Sequence, residues 1–191
     1  MQKLTVSQDS LKRGRSLSTK YYAGIGSRET PEDIGSLMKE MAEFLASAGY
    51  TLRSGGAAGA DSFFESGVPE EGPKEIYLPW KGFNGRTSGF YVVSDEAVSL
   101  AKSFHPRWYG LNPSAKLLIA RNSYQVLGLS LNDPVDFIIC WTQGGKPRGG
   151  TGQALRIASD LSIPVYNLGK GKDLLFIKEC LKTKQIPVGQ C

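Results

Sequence analysis

The sequence predicts a three-layer α/β protein, with a parallel sheet of about five strands and helices packed on both faces. Two observations carry this expectation. Short apolar runs alternate with amphipathic helical segments from residue 20 onward, the pattern of a parallel sheet joined by crossover helices. Several of those runs lead directly into glycine-rich loops that open the next helix.

Tyr21-Tyr22-Ala23-Gly24-Ile25-Gly26 reads as a buried first strand. Thr30-Pro31-Glu32-Asp33 then opens a helix: Thr30 is a capping residue, Pro31 suits the first turn, and the acids favour the positive end of the dipole. Ile34, Leu37, Met38, Met41, Phe44 and Leu45 give that helix one apolar face, and Gly49 ends it. Tyr50 to Ser54 forms the second strand, followed by Gly55-Gly56-Ala57-Ala58-Gly59-Ala60-Asp61 and a short helix through Glu65. Glu75 to Trp80 reads as the third strand. Lys81 to Pro113 is irregular except for a helical segment near Ser94–Phe104. A strong helix covers 114–127, and 135–141 is the most apolar strand. Thr142 to Thr151 is a glycine-rich loop, with a helix over 152–161, a last strand over 163–168 and a helix over 173–181.

The chain has 191 residues, 40% hydrophobic and 21% charged, which suits one globular unit over residues 20–191. No apolar run is long enough for a membrane span or a secretory leader. Three cysteines and one histidine argue against a disulfide framework and a metal site, so a reducing, cytoplasmic setting is expected, with no cofactor. The net charge of +5 is unevenly placed: residues 1–20 carry +4, residues 170–191 carry +3, and the rest −2. Residues 1–19 read as a flexible basic arm. Such an arm either touches nucleic acid or is simply solvated.

In a parallel sheet every strand-to-helix loop lies on one edge, where ligands bind. Three loops there carry unusual chemistry: Gly24–Arg28, Ser54–Asp61 and Thr142–Gln153. Each runs into a helix N-terminus, whose free N–H groups attract anions. The expected ligand contacts are Gly26, Ser27 and Arg28 in the first loop, and Ser54, Gly55, Gly56, Ala57 and Gly59 in the second. The third supplies Thr142, Gly149, Gly150, Thr151 and Gln153. Hydroxyls of Ser27, Ser54 and Thr151 add donors, and Arg28 offers a bidentate phosphate clamp. The implied partner is a nucleotide or a nucleotide-derived small molecule.

These loops resemble those of the SMF/DprA and lonely-guy (LOG) superfamily of Rossmann-like proteins. Ser54, Gly55, Ala57, Gly59 and Asp61 are similar to the Ser-Gly-x-Ala-x-Gly-x-Asp element of DNA-processing protein A. Gly149-Gly150-Thr151-Gly152 resembles the Pro-Gly-Gly-x-Gly-Thr element of nucleotide phosphoribohydrolases, and Arg121 resembles the arginine they place before it. His105-Pro106-Arg107-Trp108 and Ala120–Gly128 look closest to small phage and bacterial DprA-like proteins. The resemblance covers about residues 20–169. It implies a Rossmann-like fold and either nucleotide chemistry or single-stranded DNA as a partner, and related folds often form homo-oligomers. Two positions depart from the phosphoribohydrolase pattern: Arg156 stands at the catalytic glutamate and Arg148 at the proline.

Asp61, Glu65 and Arg121 are the expected catalytic set. Asp61 and Glu65 lie four apart on one helix, so they share a face. Asp61 either holds a ribose hydroxyl or activates water at an N-glycosidic carbon, or it serves as an ordinary acid at a helix start. Arg121 and Asn122 interrupt an apolar helix and are expected to face the ligand. Trp80 ends a strand on the ligand edge and is a stacking candidate, with Asn84 and Arg86 following it. His105 reads either as a general acid or phosphate contact, or as a packed loop residue. Three functions remain open: a nucleotide binder or N-glycoside hydrolase, a DprA-like strand-binding protein, and an interaction scaffold without chemistry.

Overall fold

The structure is a computed structural model describing residues 19–187. Nearly all of the basic arm expected at 1–19 therefore lies outside the described residues. The elements run β1 (Lys20–Gly26), α1 (Glu32–Ser47), β2 (Tyr50–Ser54), α2 (Ala60–Gly67), β3 (Lys74–Ile76), α3 (Asp95–Phe104), α4 (Pro113–Leu127), β4 (Phe137–Trp141), α5 (Gly149–Asp160), β5 (Val165–Asn167) and α6 (Gly171–Thr183). The five strands pair in the order β3-β2-β1-β4-β5 and every pairing is parallel. The α/β Rossmann-like fold read from the sequence is the fold observed.

Alternation along the strands explains the two layers. Tyr22, Phe137 and Ile139 point to one face and pack with Met38, Met41 and Phe64 of α1 and α2 and with Ile177 of α6. Ala23, Ile25, Ile138 and Cys140 point to the other face, against Val126 of α4 and Ala154 and Ile157 of α5. Successive side chains of a strand alternate between faces, so each strand feeds both cores.

The strand order reverses between β1 and β4. From β1 the chain moves outward through β2 to β3, then returns to β4 on the other side and continues to β5. A crevice forms at the carboxyl ends of two such neighbours because their following loops diverge. Gly26 and Trp141 are register partners there, and Ser27 N–H donates to Trp141 O at 3.0 Å.

Element ends shift from the expected ones at two places that matter. The third strand closes at Ile76, after which Tyr77 bridges to Phe90. The helix expected from Gly152 begins at Gly149, because Gly152 N–H already donates to Arg148 O at 2.9 Å. Gly149, Gly150 and Thr151 are thus its first turn. No described helix is long and apolar enough to cross a membrane.

Candidate functional site

A cavity of about 1090 Å³ opens at the carboxyl ends of β1 and β4. That is at the upper limit of the roughly 300–1,000 Å³ of small-ligand sites. Its walls come from the β1–α1 loop, the start of α2, the turn after α3, the middle of α4 and the start of α5.

The α5 N-terminus is the most anion-receptive part of this wall. Its N-cap is Arg148, without a side-chain cap bond, and no acid sits in its first turn. The first three N–H groups of a helix have no internal partner, and the dipole places partial positive charge there. Asn122 Nδ2 donates to Gly150 O at 2.9 Å and holds this turn against α4. The pairing of Thr142 and Asn167 fixes the preceding loop: Thr142 N–H donates to Asn167 Oδ1 at 3.2 Å, and Asn167 Nδ2 donates to Thr142 Oγ1 at 2.7 Å.

Arg121 faces the same cavity from α4, although it is only 4% exposed. One nitrogen donates to Tyr77 O at 3.1 Å and stands 3.9 Å from Asp61 Oδ2, while its buried Nε has no partner. Gly55 makes room for it: a Cβ at that position would collide with the Arg121 guanidinium. Burial lowers the Arg121 pKa; Asp61 and Glu65 oppose that and Arg28 adds to it. Arg28 therefore lies within electrostatic reach of Arg121.

The second glycine loop is occupied by the protein's own carboxylates. Ala57 N–H donates to Asp61 Oδ2 at 3.3 Å, and the backbone N–H dipoles of Gly55 and Gly26 also favour the charged carboxylate. Burial raises the Asp61 pKa against the opposing pull of Arg121 and these N–H groups. Gly56 N–H donates to Glu65 Oε1 at 3.0 Å, and Arg86 pairs with Glu65 at 2.6 Å. Burial lifts Glu65 to about 7 despite Arg86. Gly59 turns the chain at φ +77°, where a Cβ would strike the Ser27 and Arg28 backbone.

The structure thus brings Gly26, Ser27, Arg28, Ala57, Asp61, Arg121, Asn122, Thr142, Gly149, Gly150 and Thr151 to one cavity. Other expected residues stand elsewhere. Glu65 and Arg86 line a separate 270 Å³ cavity with Ser62 and Lys74. Asn84 Nδ2 donates to Gly56 O at 3.0 Å, bracing the second loop from behind. Trp80 packs edge-on against Phe83. Ser54 is buried and its hydroxyl donates to Gly24 O, and buried Gln153 donates to Ala101 O.

Three wall residues had no ligand role in the sequence reading. Arg107 and Arg156 flank His105, and Gln125 lies one turn beyond Arg121. Arg156 Nε donates to Phe104 O at 2.8 Å, and its NH2 donates to Gln153 Oε1 at 2.8 Å. Burial, then Arg156 and Arg107, pull the His105 pKa down, which favours a neutral ring. Among the described residues no cluster of His, Cys, Asp or Glu is placed to hold a metal.

No family model matches the chain, and no curated protein matches it. A solved structure does: DNA processing protein A from Helicobacter pylori, described for its single-stranded DNA binding mode. The similarity has a TM-score of 0.52 at 18% identity and covers 87% of this chain and 82% of that one. It establishes a shared fold.

Proposed function

We propose that the cavity binds the phosphate of a nucleotide, seated on the first turn of α5 beneath Arg28 and Arg121. The observation that carries this reading is the meeting of an uncapped helix N-terminus with a buried arginine whose Nε has no partner. A buried cation without a full set of hydrogen bonds is costly, and a phosphate oxygen can accept from the terminal guanidinium nitrogens at the cavity wall. Backbone N–H groups and a guanidinium together form a phosphate cradle.

The nucleotide comes either free in solution or as a unit of single-stranded DNA. The likeness to a single-stranded-DNA-binding protein supports the second source. Binding is better supported than turnover, because Asp61 already accepts a bond from Ala57 N–H and faces Arg121.

A thermal-shift series with mononucleotides and short single strands at two salt concentrations tests this reading. Ligands that bind the native state raise the melting temperature. A shift that survives added salt with mononucleotides marks a free nucleotide. A shift with strands alone, lost at higher salt, marks DNA. No shift with any of them contradicts the reading.

A further inference from the structure

We propose that the ligand of this cavity carries at least two phosphate groups, one on an inner cluster of Arg28 and Arg121 and one on an outer cluster of Arg107 and Arg156. This rests on the reading of the cavity as a nucleotide-phosphate site.

Charge and position carry the proposal. Five arginines line the cavity, Arg28, Arg107, Arg121, Arg148 and Arg156, against only two carboxylates, Glu29 and Asp61. One of those carboxylates, Asp61, faces Arg121. Among the described residues Arg28, Arg107, Arg148 and Arg156 form no ion pair. A single terminal phosphate brings about −1.5 to −2 charges at neutral pH, less than this excess of three.

Four of the five cations fall into two groups, with Arg148 at the N-cap of α5. Arg28 and Arg121 line the same cavity as the α5 first turn, and the charge of Arg28 acts on Arg121. Arg107 and Arg156 lie around His105, at the end of α3. Arg156 is held rigid there by two hydrogen bonds of 2.8 Å, one to Phe104 O and one to Gln153 Oε1. Its NH1 points toward the start of α5, 3.4 Å from where a Cβ on Gly152 would sit. Among the described residues the wall holds no lysine, and arginine is the side chain that grips phosphate through two parallel bonds. The volume of about 1090 Å³ leaves room beyond one mononucleotide.

Two sources supply such a ligand: a nucleoside polyphosphate, and the phosphorylated end of a single strand. Calorimetric titration separates them when run at constant ionic strength. The probes are the 5′-mono- and 5′-diphosphates of the four common nucleosides and the four 5′-phosphorylated homodinucleotides. For at least one base, the diphosphate or the dinucleotide is expected to bind about tenfold or more tighter than the monophosphate, the gain of one added charge-assisted contact set. Arg107 is exposed, and Arg107→Ala should reduce that ratio at least about threefold. A preference for diphosphates identifies the free polyphosphate, and a preference for dinucleotides identifies the strand. A smaller ratio in the unmodified protein, or one unchanged by Arg107→Ala, overturns the two-phosphate ligand while leaving the nucleotide site standing. No binding by any probe overturns both.

Discussion

Arg121 stands 3.9 Å from Asp61 in a wall where both side chains are 5% exposed. At that distance the pair is an electrostatic neighbour without a close bidentate contact, so Arg121 keeps capacity for a second anion. Asp61→Asn removes the only buried carboxylate that faces the cavity among the described residues. The expected result is a nucleotide affinity raised about threefold or more by calorimetry, since Arg121 is then less neutralised. A loss of affinity would mean that Asp61 contacts the ligand directly.

Gly55→Ala should be far more damaging than its size implies. The added methyl would overlap the Arg121 guanidinium and crowd Gln125. We expect a stability loss of about 1–3 kcal/mol in urea unfolding, typical of overpacking. Nucleotide affinity should fall with it, because Arg121 must leave its seat.

Glu65 makes the fold sensitive to pH. Burial raises its pKa from 4.5 to about 7, while Arg86, at 2.6 Å, pulls the other way. Asp61 and Lys74 also face it, the first raising the value and the second lowering it. The folded protein holds this proton more tightly than the unfolded chain does. Stability from this group is therefore full below pH 4.5 and is lost as pH rises toward about 7. Glu65→Gln keeps an acceptor for Gly56 N–H. The stability difference between the two proteins should move against the unmodified one by up to roughly 3 kcal/mol across that window. A pH-independent difference would contradict the assignment.

Arg53 is a control for function. It pairs with Glu75 and Asp133, each at 2.7 Å, and lies 3.6 Å over the Tyr21 ring, outside the cavity wall. Arg53→Met should cost about 3 kcal/mol in stability, as removal of one member of a buried pair does. Nucleotide affinity should stay within about twofold below the melting transition.

Much of this was legible in the sequence. Strand-like runs leading into glycine-rich loops located β1, β2 and β4, and their parallel order placed those three loops on one edge. Arg121 and Asn122 stood out as polar residues in an apolar helix, and both face the cavity. What could not be read depends on side-chain direction. For Asp61 the sequence left a catalytic acid and a helix-start acid that satisfies backbone donors both open, and only the fold shows that Asp61 and Glu65 accept N–H groups of the loop before them. Trp80 follows a strand that ends four residues early, at Ile76, so its ring turns to Phe83. Arg107 and Arg156 are distant in sequence and meet only because α3 and α5 pack side by side around His105.

The central claim is that phosphate sits on the first turn of α5. Amide shifts in a ¹⁵N-labelled protein report this directly during titration with the tightest-binding nucleotide. Saturable shifts are expected of the Gly149, Gly150 and Thr151 amides, which have no acceptor within the helix, together with the Arg121 side-chain Nε–H. Unmoved α5 amides, with shifts confined to residues outside the cavity wall, would contradict it.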